Sequence, residues 1–268
     1  MSINPLLQAH TRATERASPQ ERNRQWWERL PMTYEDWQSG DRSTNRERVI
    51  EKFLSSNPYL DRQYFNQFAG KRVLEIGCGA GPATCLFASF GAAITSVDLT
   101  QSAVEMTHLH EPRATVLQMD AEALTFADAS FDHVFSWGVI HHTANPTKAF
   151  GEIARVLRPG GTALLMVYNR ASLRYWIKGA IWLFLRGRLW RGETFTTVQR
   201  FFTDGYFHRH YTPSELPEAL WPLQITDIAI SHMSGRMLPL LPRRVDEWCK
   251  RRWGWLLIAN TVRKPGRV

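Results

Sequence analysis

Hydrophobic and polar positions follow a regular pattern from Lys71 to Asn169. Short runs of aliphatic and β-branched residues alternate with stretches of helical spacing, which is typical of βαβ units on a parallel sheet. The predicted strands are residues 72–76, 93–97, 115–118, 131–136 and 162–168. The predicted helices are residues 82–90, 101–109 and 146–157, and we expect the last to stop at the Pro-Gly-Gly of residues 159–161.

The chain on either side of this core has a different texture. Residues 1–70 begin as a polar, arginine-rich arm and continue as a helical cap with many aromatic residues. Residues 170–222 lack strand–helix alternation and are predicted to be an insertion on the substrate side. Residues 223–268 contain two further strand patterns, 223–231 and 255–262, which we expect to close the core sheet.

Composition narrows the class of protein. With 268 residues and 44% hydrophobic positions, the chain can bury a large core, which excludes a disordered or collagen-like protein. Its three cysteines have no metal-binding spacing, and residues 1–17 lack the apolar stretch of a signal peptide. The longest aliphatic and aromatic run, residues 180–185, is too short to cross a bilayer. We therefore predict a soluble cytoplasmic protein.

The positive charge is concentrated at one end of the chain. The formal net charge is +8 overall, but residues 71–169 carry 6 basic and 9 acidic groups, and residues 170–268 carry 17 and 7. A basic surface favours nucleic acid, anionic lipid or a phosphorylated substrate, although a solvated face without a partner explains it equally well.

A glycine-rich turn supplies the strongest chemical signal. Residues 75–81 read Glu-Ile-Gly-Cys-Gly-Ala-Gly, between a predicted strand and a predicted helix. Glycines are needed where the chain turns sharply and a ligand contacts the backbone. Glu75 near this loop disfavours a pyrophosphate and suits an ammonium group. Asp98 ends the next strand about twenty residues later, where a carboxylate can accept from both hydroxyls of a ribose.

Together with four later motifs, this loop resembles the class I S-adenosylmethionine-dependent methyltransferases, and in particular the small-molecule branch of ubiquinone and menaquinone C-methyltransferases. The later motifs are residues 119–122, 131–134, 136–142 and 152–161, all in the family's order and spacing. The resemblance implies an α/β fold: a doubly wound, Rossmann-like, seven-stranded methyltransferase sheet with an N-terminal helical cap and an insertion before the last two strands.

The resemblance also implies S-adenosyl-L-methionine as cofactor and assigns residues to it. Glu75 and the backbone of residues 77–81 are expected at the methionine moiety, Asp98 at the ribose, and Leu99 beside the adenine. Asp120 and Ala121 are expected at the adenine nitrogens, and Ser136 and Trp137 beside the methionine chain and sulfonium. The complete predicted cofactor set is Tyr34, Glu75, Gly77, Cys78, Gly79, Gly81, Asp98, Leu99, Asp120, Ala121, Glu122, Ser136 and Trp137.

Tyr34 belongs to this set because, in related methyltransferases, residues before the first strand often fold over the cofactor. The aromatic segment 26–37 is accordingly predicted to be a lid, and a helix packed on the sheet is the alternative.

Methyl transfer requires alignment and no protein nucleophile. A base is needed only if the acceptor must lose a proton. His141 and His142, just after the fourth strand, are the first candidates, with a pKa expected near the ordinary histidine value. His208 and His210 in the insertion are the second choice. No metal is predicted.

The acceptor is expected to be a small hydrophobic or amphiphilic metabolite such as a quinone, lipid, polyketide or sugar-type compound. The basic and aromatic segment 174–190 is either a buried cap helix or a peripheral contact with a membrane. One alternative function is a nucleic-acid methyltransferase, although the Asn/Asp-Pro-Pro-Tyr/Phe motif of the amino-methylating enzymes is absent after the fourth strand. Another is an S-adenosylmethionine-binding enzyme of quinone metabolism that transfers a different group. The sequence predicts no oligomeric state.

Overall fold

A computed structural model of the chain describes residues 17–29, 45–238 and 240–264. Within these residues, eight strands form one mixed sheet. The strands are β1 (Arg72–Ile76), β2 (Ala93–Asp98), β3 (Thr115–Gln118), β4 (Phe131–Trp137), β5 (Leu157–Asn169), β6 (His210–Tyr211), β7 (Leu223–Ser231) and β8 (Leu256–Arg263).

Helices connect these strands and precede them. They are α1 (Pro19–Arg29), α2 (Arg46–Ser56), α3 (Arg62–Asn66), α4 (Pro82–Ser89), α5 (Gln101–His110), α6 (Pro146–Val156), α7 (Leu173–Ala180), α8 (Phe195–Val198), α9 (Leu216–Ala219) and α10 (Arg243–Trp253). Short 3₁₀ turns form at Ile140–His142, Leu189–Arg191 and Gln199–Phe201, and α7 continues into a π-helical turn, Ile181–Leu185.

The strand order is β3-β2-β1-β4-β5-β8-β7, with β6 beside the end of β5. Strands β1 to β5 are parallel, whereas β8 runs antiparallel to both β5 and β7. The chain order reverses between β1 and β4, which opens a crevice at the carboxyl edge where doubly wound sheets bind ligands. The predicted doubly wound methyltransferase sheet is confirmed, with the two-residue β6 added to the expected seven strands.

The junction between α6 and β5 differs from the sequence expectation. The helix was expected to run to Leu157 and to stop at a turn of residues 159–161, but α6 ends at Val156 and β5 already begins at Leu157. Leu157 pairs with Phe131, and a register shift before His133 accommodates the Pro-Gly-Gly within the strand. An irregular stretch of the β4–β5 pairing, in which two steps along β4 oppose five along β5, therefore replaces the predicted turn.

Apolar cores lie on both faces of the sheet. Val134 and Leu165 pack in a cluster with α6, whereas their neighbours Phe135 and Leu164 pack in a second cluster with α2 and α4. This alternation follows from the two-residue period of a strand. Because both faces of the sheet are covered, its carboxyl edge is the place left for a site. In the described part of the chain, no helix is long and apolar enough to cross a membrane.

Candidate functional site

A cavity of about 440 Å³ opens at the carboxyl ends of β1, β2 and β4. This volume lies within the range of small-molecule sites. Residues from the ends of these strands line it, together with residues of β5, α1 and the insertion. The predicted site residues that line it are Glu75, Gly77, Cys78, Gly79, Asp98, Leu99, Asp120, Ala121, Trp137 and His142.

The glycine loop is shaped by a close approach of the chain. Gly77 has a positive φ of 79°, and a Cβ built on it would lie 2.1 Å from Val139 Cγ2. The Gly77 N–H donates to the Val97 carbonyl of β2 at 2.7 Å. Only glycine tolerates both the positive φ and the lack of space for a Cβ at this position. The backbone of Gly77 therefore lines the cavity with no side chain of its own.

Glu75 is buried beneath this loop. Its Oε2 accepts hydrogen bonds from the hydroxyls of Thr84 and Ser96, the latter at 3.1 Å. Burial raises the pKa of the carboxyl to about 8, although these hydrogen bonds oppose the shift. A buried, uncompensated carboxyl group in a cavity wall is suited to a cationic group of a ligand.

Asp98 is held by donors on both carboxylate oxygens. Oδ2 accepts from the Gly79 N–H at 3.1 Å, and Oδ1 accepts from the Thr100 N–H and hydroxyl at 3.0 and 2.9 Å. Burial raises the pKa of this carboxyl, and the same hydrogen bonds lower it. Each oxygen can accept further bonds, so the fixed carboxylate can receive a pair of ligand hydroxyls.

Asp120 and Ala121 line the neighbouring part of the cavity with Leu99. Oδ1 of Asp120 accepts from the Glu122 N–H and from Nε2 of Gln20, both at 2.8 Å. The second bond brings α1 across the cavity, because Gln20 lies a hundred residues away in sequence.

Helix α1 contributes three cavity residues, of which Gln20 and Asn23 were not singled out in the sequence and Trp27 belongs to the predicted lid segment 26–37. Gln20, Asn23 and Trp27 lie three and four residues apart, and all three line the cavity. Nδ2 of Asn23 donates to the His142 carbonyl at 2.9 Å. Their spacing on one helix face is the signal that could have identified them, but two of the three are polar and give no apolar stripe. Tyr34, the predicted contact, lies outside the described residues.

Three predicted cofactor residues do not line the cavity. Gly81 is the N-cap of α4, and a Cβ on it would meet Thr107. The Glu122 carboxylate accepts from the Asn145 N–H at 2.7 Å, before α6. The Ser136 hydroxyl donates to the Ile76 carbonyl at 3.2 Å, between β4 and β1. These hydrogen bonds thus hold the side chains of Glu122 and Ser136 against neighbouring backbone around the cavity and not in its lining.

The structure separates the two adjacent histidines. His142 lines the cavity, whereas His141 is fully buried beside Tyr168, with ring centroids 4.0 Å apart. Nδ1 of His142 lies 2.7 Å from the Phe207 carbonyl. A carbonyl can only accept, so Nδ1 carries the proton and Nε2 is left as an acceptor.

Burial changes the expected protonation of His142. Its pKa falls to about 4, rather than lying near the ordinary histidine value, chiefly because the ring is buried. The pKa of His141 is also far below its usual value for the same reason. His208 and His210 do not line the cavity, and burial lowers both of their pKa values.

The remaining walls of the cavity are mostly apolar. They include Phe53, Trp137, Met166 and Leu256, and Nε1 of Trp137 donates to Oδ1 of Asn57 at 2.9 Å. Asp204 of the insertion also lines this part, and no sequence motif marked it. Across the described segments, no group of three histidine, cysteine or acidic side chains is arranged to hold a metal ion.

Comparisons with known proteins place this site in context. A family model described as "Methyltransferase domain" matches residues 74–165. A ubiquinone biosynthesis O-methyltransferase of Maricaulis maris is 33% identical over 161 residues, which are 57% of this chain and 58% of that protein. One of Xanthomonas oryzae pv. oryzae is 35% identical over 113 residues, 40% of this chain and 47% of that protein. The chain thus spans about half the length of these curated relatives.

Solved structures share the fold at low identity. A chain in the complex of the Haloferax volcanii Trm112 methyltransferase activator with a methyltransferase superimposes with a TM-score of 0.56 and 18% identity, covering 92% of this chain and 99% of that chain. The [4+2]-cyclase SpnF superimposes with a TM-score of 0.52 and 17% identity over 76% of this chain and 80% of that chain.

Proposed function

We propose that the chain, whose residues 74–165 match a methyltransferase domain, is a class I S-adenosylmethionine-dependent methyltransferase that transfers a methyl group from S-adenosylmethionine to a small hydrophobic acceptor. One observation carries the proposal. A single cavity is lined by two carboxyl groups and a glycine loop and also by apolar side chains and His142. The first group of residues suits the cofactor and the second suits an acceptor.

The residues present fit the cofactor. Glu75 offers a buried carboxyl group to an ammonium, and Asp98 offers two oxygens to the ribose hydroxyls. The Gly77 backbone gives close access that a side chain would block. Leu99, Asp120 and Ala121 are left for the adenine, and the Trp137 ring lies at the end of β4, where a cation gains from an aromatic face.

When bound, the cofactor supplies a methyl carbon already activated by a sulfonium. The protein then needs to orient the acceptor and exclude water. Nε2 of His142 is suited to accept a hydrogen bond from an acceptor hydroxyl and to take its proton as the methyl group is transferred. Phe207 fixes the tautomer that leaves this nitrogen free.

We also propose that α1 acts as a cover. It contacts Asp120 on the adenine side through Gln20 and the His142 backbone on the acceptor side through Asn23. Because Gln20, Asn23 and Trp27 of α1 all line the cavity, the helix is positioned to keep water out of it.

The acceptor class follows from the cavity and from the relatives. Phe53, Met166 and Leu256 favour an apolar molecule, and the curated relatives are named ubiquinone biosynthesis O-methyltransferases. We therefore propose an aromatic hydroxyl group on a lipophilic ring as the acceptor. Although the resemblance seen in the sequence is to C-methyltransferases, the curated relatives are named O-methyltransferases, so oxygen is the atom to test first.

Incubation with methyl-labelled cofactor and a panel of lipophilic phenols tests this proposal. We expect label in a phenol ether and formation of S-adenosylhomocysteine. Cofactor binding without transfer to any phenol, or transfer only to nucleic acid, contradicts the small-molecule assignment.

The matching variant is Asp98→Ala. Loss of a hydrogen-bonded carboxylate is expected to weaken cofactor binding by about 1–3 kcal/mol, or roughly 5- to 150-fold, in calorimetry. Asp227→Ala, which removes an exposed carboxylate of β7, is the control and should bind normally. Unchanged affinity in a folded Asp98→Ala protein removes the ribose assignment.

A further inference from the structure

Large apolar side chains are exposed on the insertion, along what we call the insertion ridge (residues 176–190). Trp190 and Leu185 are 87% and 80% exposed, and Trp176, Ile177 and Phe184 are also exposed. Monomeric soluble proteins rarely expose so many neighbouring apolar residues without a partner.

The insertion ridge itself carries only basic charges, and one of them, Arg188, is paired with Glu193 at 4.0 Å just beyond it. Residues 170–192 contain six basic residues and no acidic one. Arg186 lies over the Trp182 ring at 5.6 Å, and Arg188 lies over the Phe201 ring at 4.6 Å. Arginine beside tryptophan is the combination found where a protein meets the headgroup region of a bilayer.

A second exposed stretch, the α10 ridge (residues 240–253), has the same character. Leu240 is 97% exposed and Trp248 is 57% exposed, and the Trp248 and Trp253 rings meet edge to face at 5.2 Å. Five of its residues are basic and two are acidic. One of the acidic residues, Asp246, is buried and paired with Arg236 and Lys250, each at 3.2 Å.

The chain segments next to the two ridges meet at the edge of the sheet that holds the cavity. Asn169, which ends β5 before α7, donates through Nδ2 to the Gly254 carbonyl at 2.9 Å, immediately after α10. The Arg174 guanidinium lies 5.1 Å from the centre of the Trp255 ring. Tyr168 and Leu256, next to these junctions, line the cavity.

We propose that the insertion ridge and the α10 ridge together form a docking surface for an anionic lipid bilayer. Anionic headgroups match the basic residues, and the exposed rings and leucines can enter the interface. A second copy of the chain would bring like charges together. A nucleic-acid backbone gives no gain from exposed Leu185 and Leu240. Delivery of a lipophilic acceptor from the bilayer to the cavity rests on the proposed function, whereas the lipid contact itself does not.

Vesicle co-sedimentation with the full chain tests the docking surface. We expect binding to vesicles of equimolar phosphatidylcholine and phosphatidylglycerol, weak binding to phosphatidylcholine alone, and weakening of binding by salt. Replacing both Leu185 and Trp190 by serine should reduce vesicle affinity at least about tenfold. Because both side chains are mostly exposed, cofactor affinity should stay unchanged, and its measurement confirms that the variant is folded.

A matched control keeps the test specific. Leu109 is an exposed leucine of α5, on the opposite side of the sheet order from α10, and Leu109→Ser should bind vesicles normally. The proposal is overturned if the double variant binds vesicles like the parent chain. It is equally overturned if the parent chain binds no vesicles. In that case, a dimer or a nucleic-acid complex that the double variant loses identifies what the ridges hold instead. Vesicle binding without methyl transfer leaves the surface in place and rejects only the proposed function.

Discussion

Burial shifts the pKa values of Glu75 and His142, which both line the cavity, in opposite directions. The pKa of Glu75 rises to about 8 and that of His142 falls to about 4, in both cases chiefly because burial disfavours the charged form. At pH 7 these values favour a protonated carboxyl group at Glu75 and an uncharged imidazole at His142 in the ligand-free cavity. Ligand binding acts on these two groups in different ways.

Cofactor binding should release a proton from Glu75. An ammonium group beside the carboxyl favours its ionised form and lowers its pKa from about 8. Between pH 6 and 7.5, where the cofactor's amino group stays protonated, affinity should rise with pH by up to about tenfold per unit. Calorimetry at several pH values, in buffers of different ionisation enthalpy, measures both the affinity and the proton released.

Glu75→Gln is the control for this dependence. The amide keeps the shape and cannot titrate, so its affinity should be lower and nearly independent of pH in the same window. A pH-independent affinity of the parent chain, or one that falls as pH rises, contradicts the placement of the ammonium at Glu75.

Turnover should depend on His142 without a titration near neutral pH. With a pKa of about 4, lowered further by a cationic cofactor, the ring is neutral from pH 6 to 8, so kcat should show no histidine limb there. His142→Gln should lower kcat by roughly 10²–10⁴-fold and change cofactor affinity by less than about tenfold. Steady-state kinetics and calorimetry measure the two effects.

The comparison variant is His208→Gln, since His208 does not line the cavity. It should keep near-normal kcat. If His142→Gln keeps the parent turnover as well, His142 has only a structural role, and another group takes the proton of the acceptor.

At the scale of secondary structure, the turn between β1 and α4 depends on Val139, whose side chain packs against Gly77. Val139 fills the space where a side chain at Gly77 would stand, with Cγ2 at 2.1 Å from the built Cβ. Gly77→Ala should therefore lower the free energy of unfolding by about 2–5 kcal/mol, from a strained positive φ and an overpacked contact. Chemical denaturation measures this loss.

Two variants separate the contributions. Gly91→Ala has a similar positive φ but no atom within 4 Å of its Cβ, so it should cost only about 1–2 kcal/mol. Adding Val139→Ala to Gly77→Ala should recover part of the loss. Equal destabilisation by Gly77→Ala and Gly91→Ala shows that Val139 does not restrict the turn.

Elements with a local signal were predictable, and those without one were not. Strands β3 and β7 have the predicted bounds because their apolar runs are bordered by turns. The two-residue β6 is too short for any period, and it forms only because the end of β5 offers a free edge. The start of β5 was missed for a related reason: its Pro-Gly-Gly reads as a turn unless the partner strand shifts register.

For the molecule as a whole, the N-terminal helix ties separate parts of the core together. Besides the contacts of Gln20 and Asn23, the Glu28 carboxylate accepts from the Gln101 and Ser102 N–H groups at 3.2 and 3.1 Å. These are the unsatisfied donors at the N-terminus of α5, where a negative charge is stabilised. Glu28 thus anchors the C-terminal end of α1 to the N-terminus of α5.

Loss of this anchor should speed cofactor release. Glu28→Ala removes two hydrogen bonds to a carboxylate, and dissociation measured by stopped-flow competition should be about tenfold or more faster. Glu21→Ala is the matched control, because the Glu21 carboxylate bonds to Arg24 and Gln25 within α1. Equal dissociation rates for Glu28→Ala and the parent chain contradict a covering role for α1.

The site could be predicted only as far as its contacts are local in sequence. The glycine loop and Asp98 lie next to the strands that position them, so their pattern is visible along the chain. The contact of Gln20 with Asp120 and that of His142 with Phe207 join residues 100 and 65 positions apart. Only the packed structure shows that His142, and not His141, reaches the cavity.

The pairing of β6 with β5 has a consequence for protein engineering. Tyr168 and Asn169 pair with His210 and Tyr211, so the intervening segment leaves one strand and returns beside its last two residues. A parallel return needs a crossover of about a dozen residues or more, but nothing in the pairing requires a particular sequence. Residues 170–209 are therefore a natural cassette: exchanging them between homologous chains should change the acceptor side only through Asp204 and Phe207, while Phe53, Met166, Leu256 and the cofactor residues stay in place.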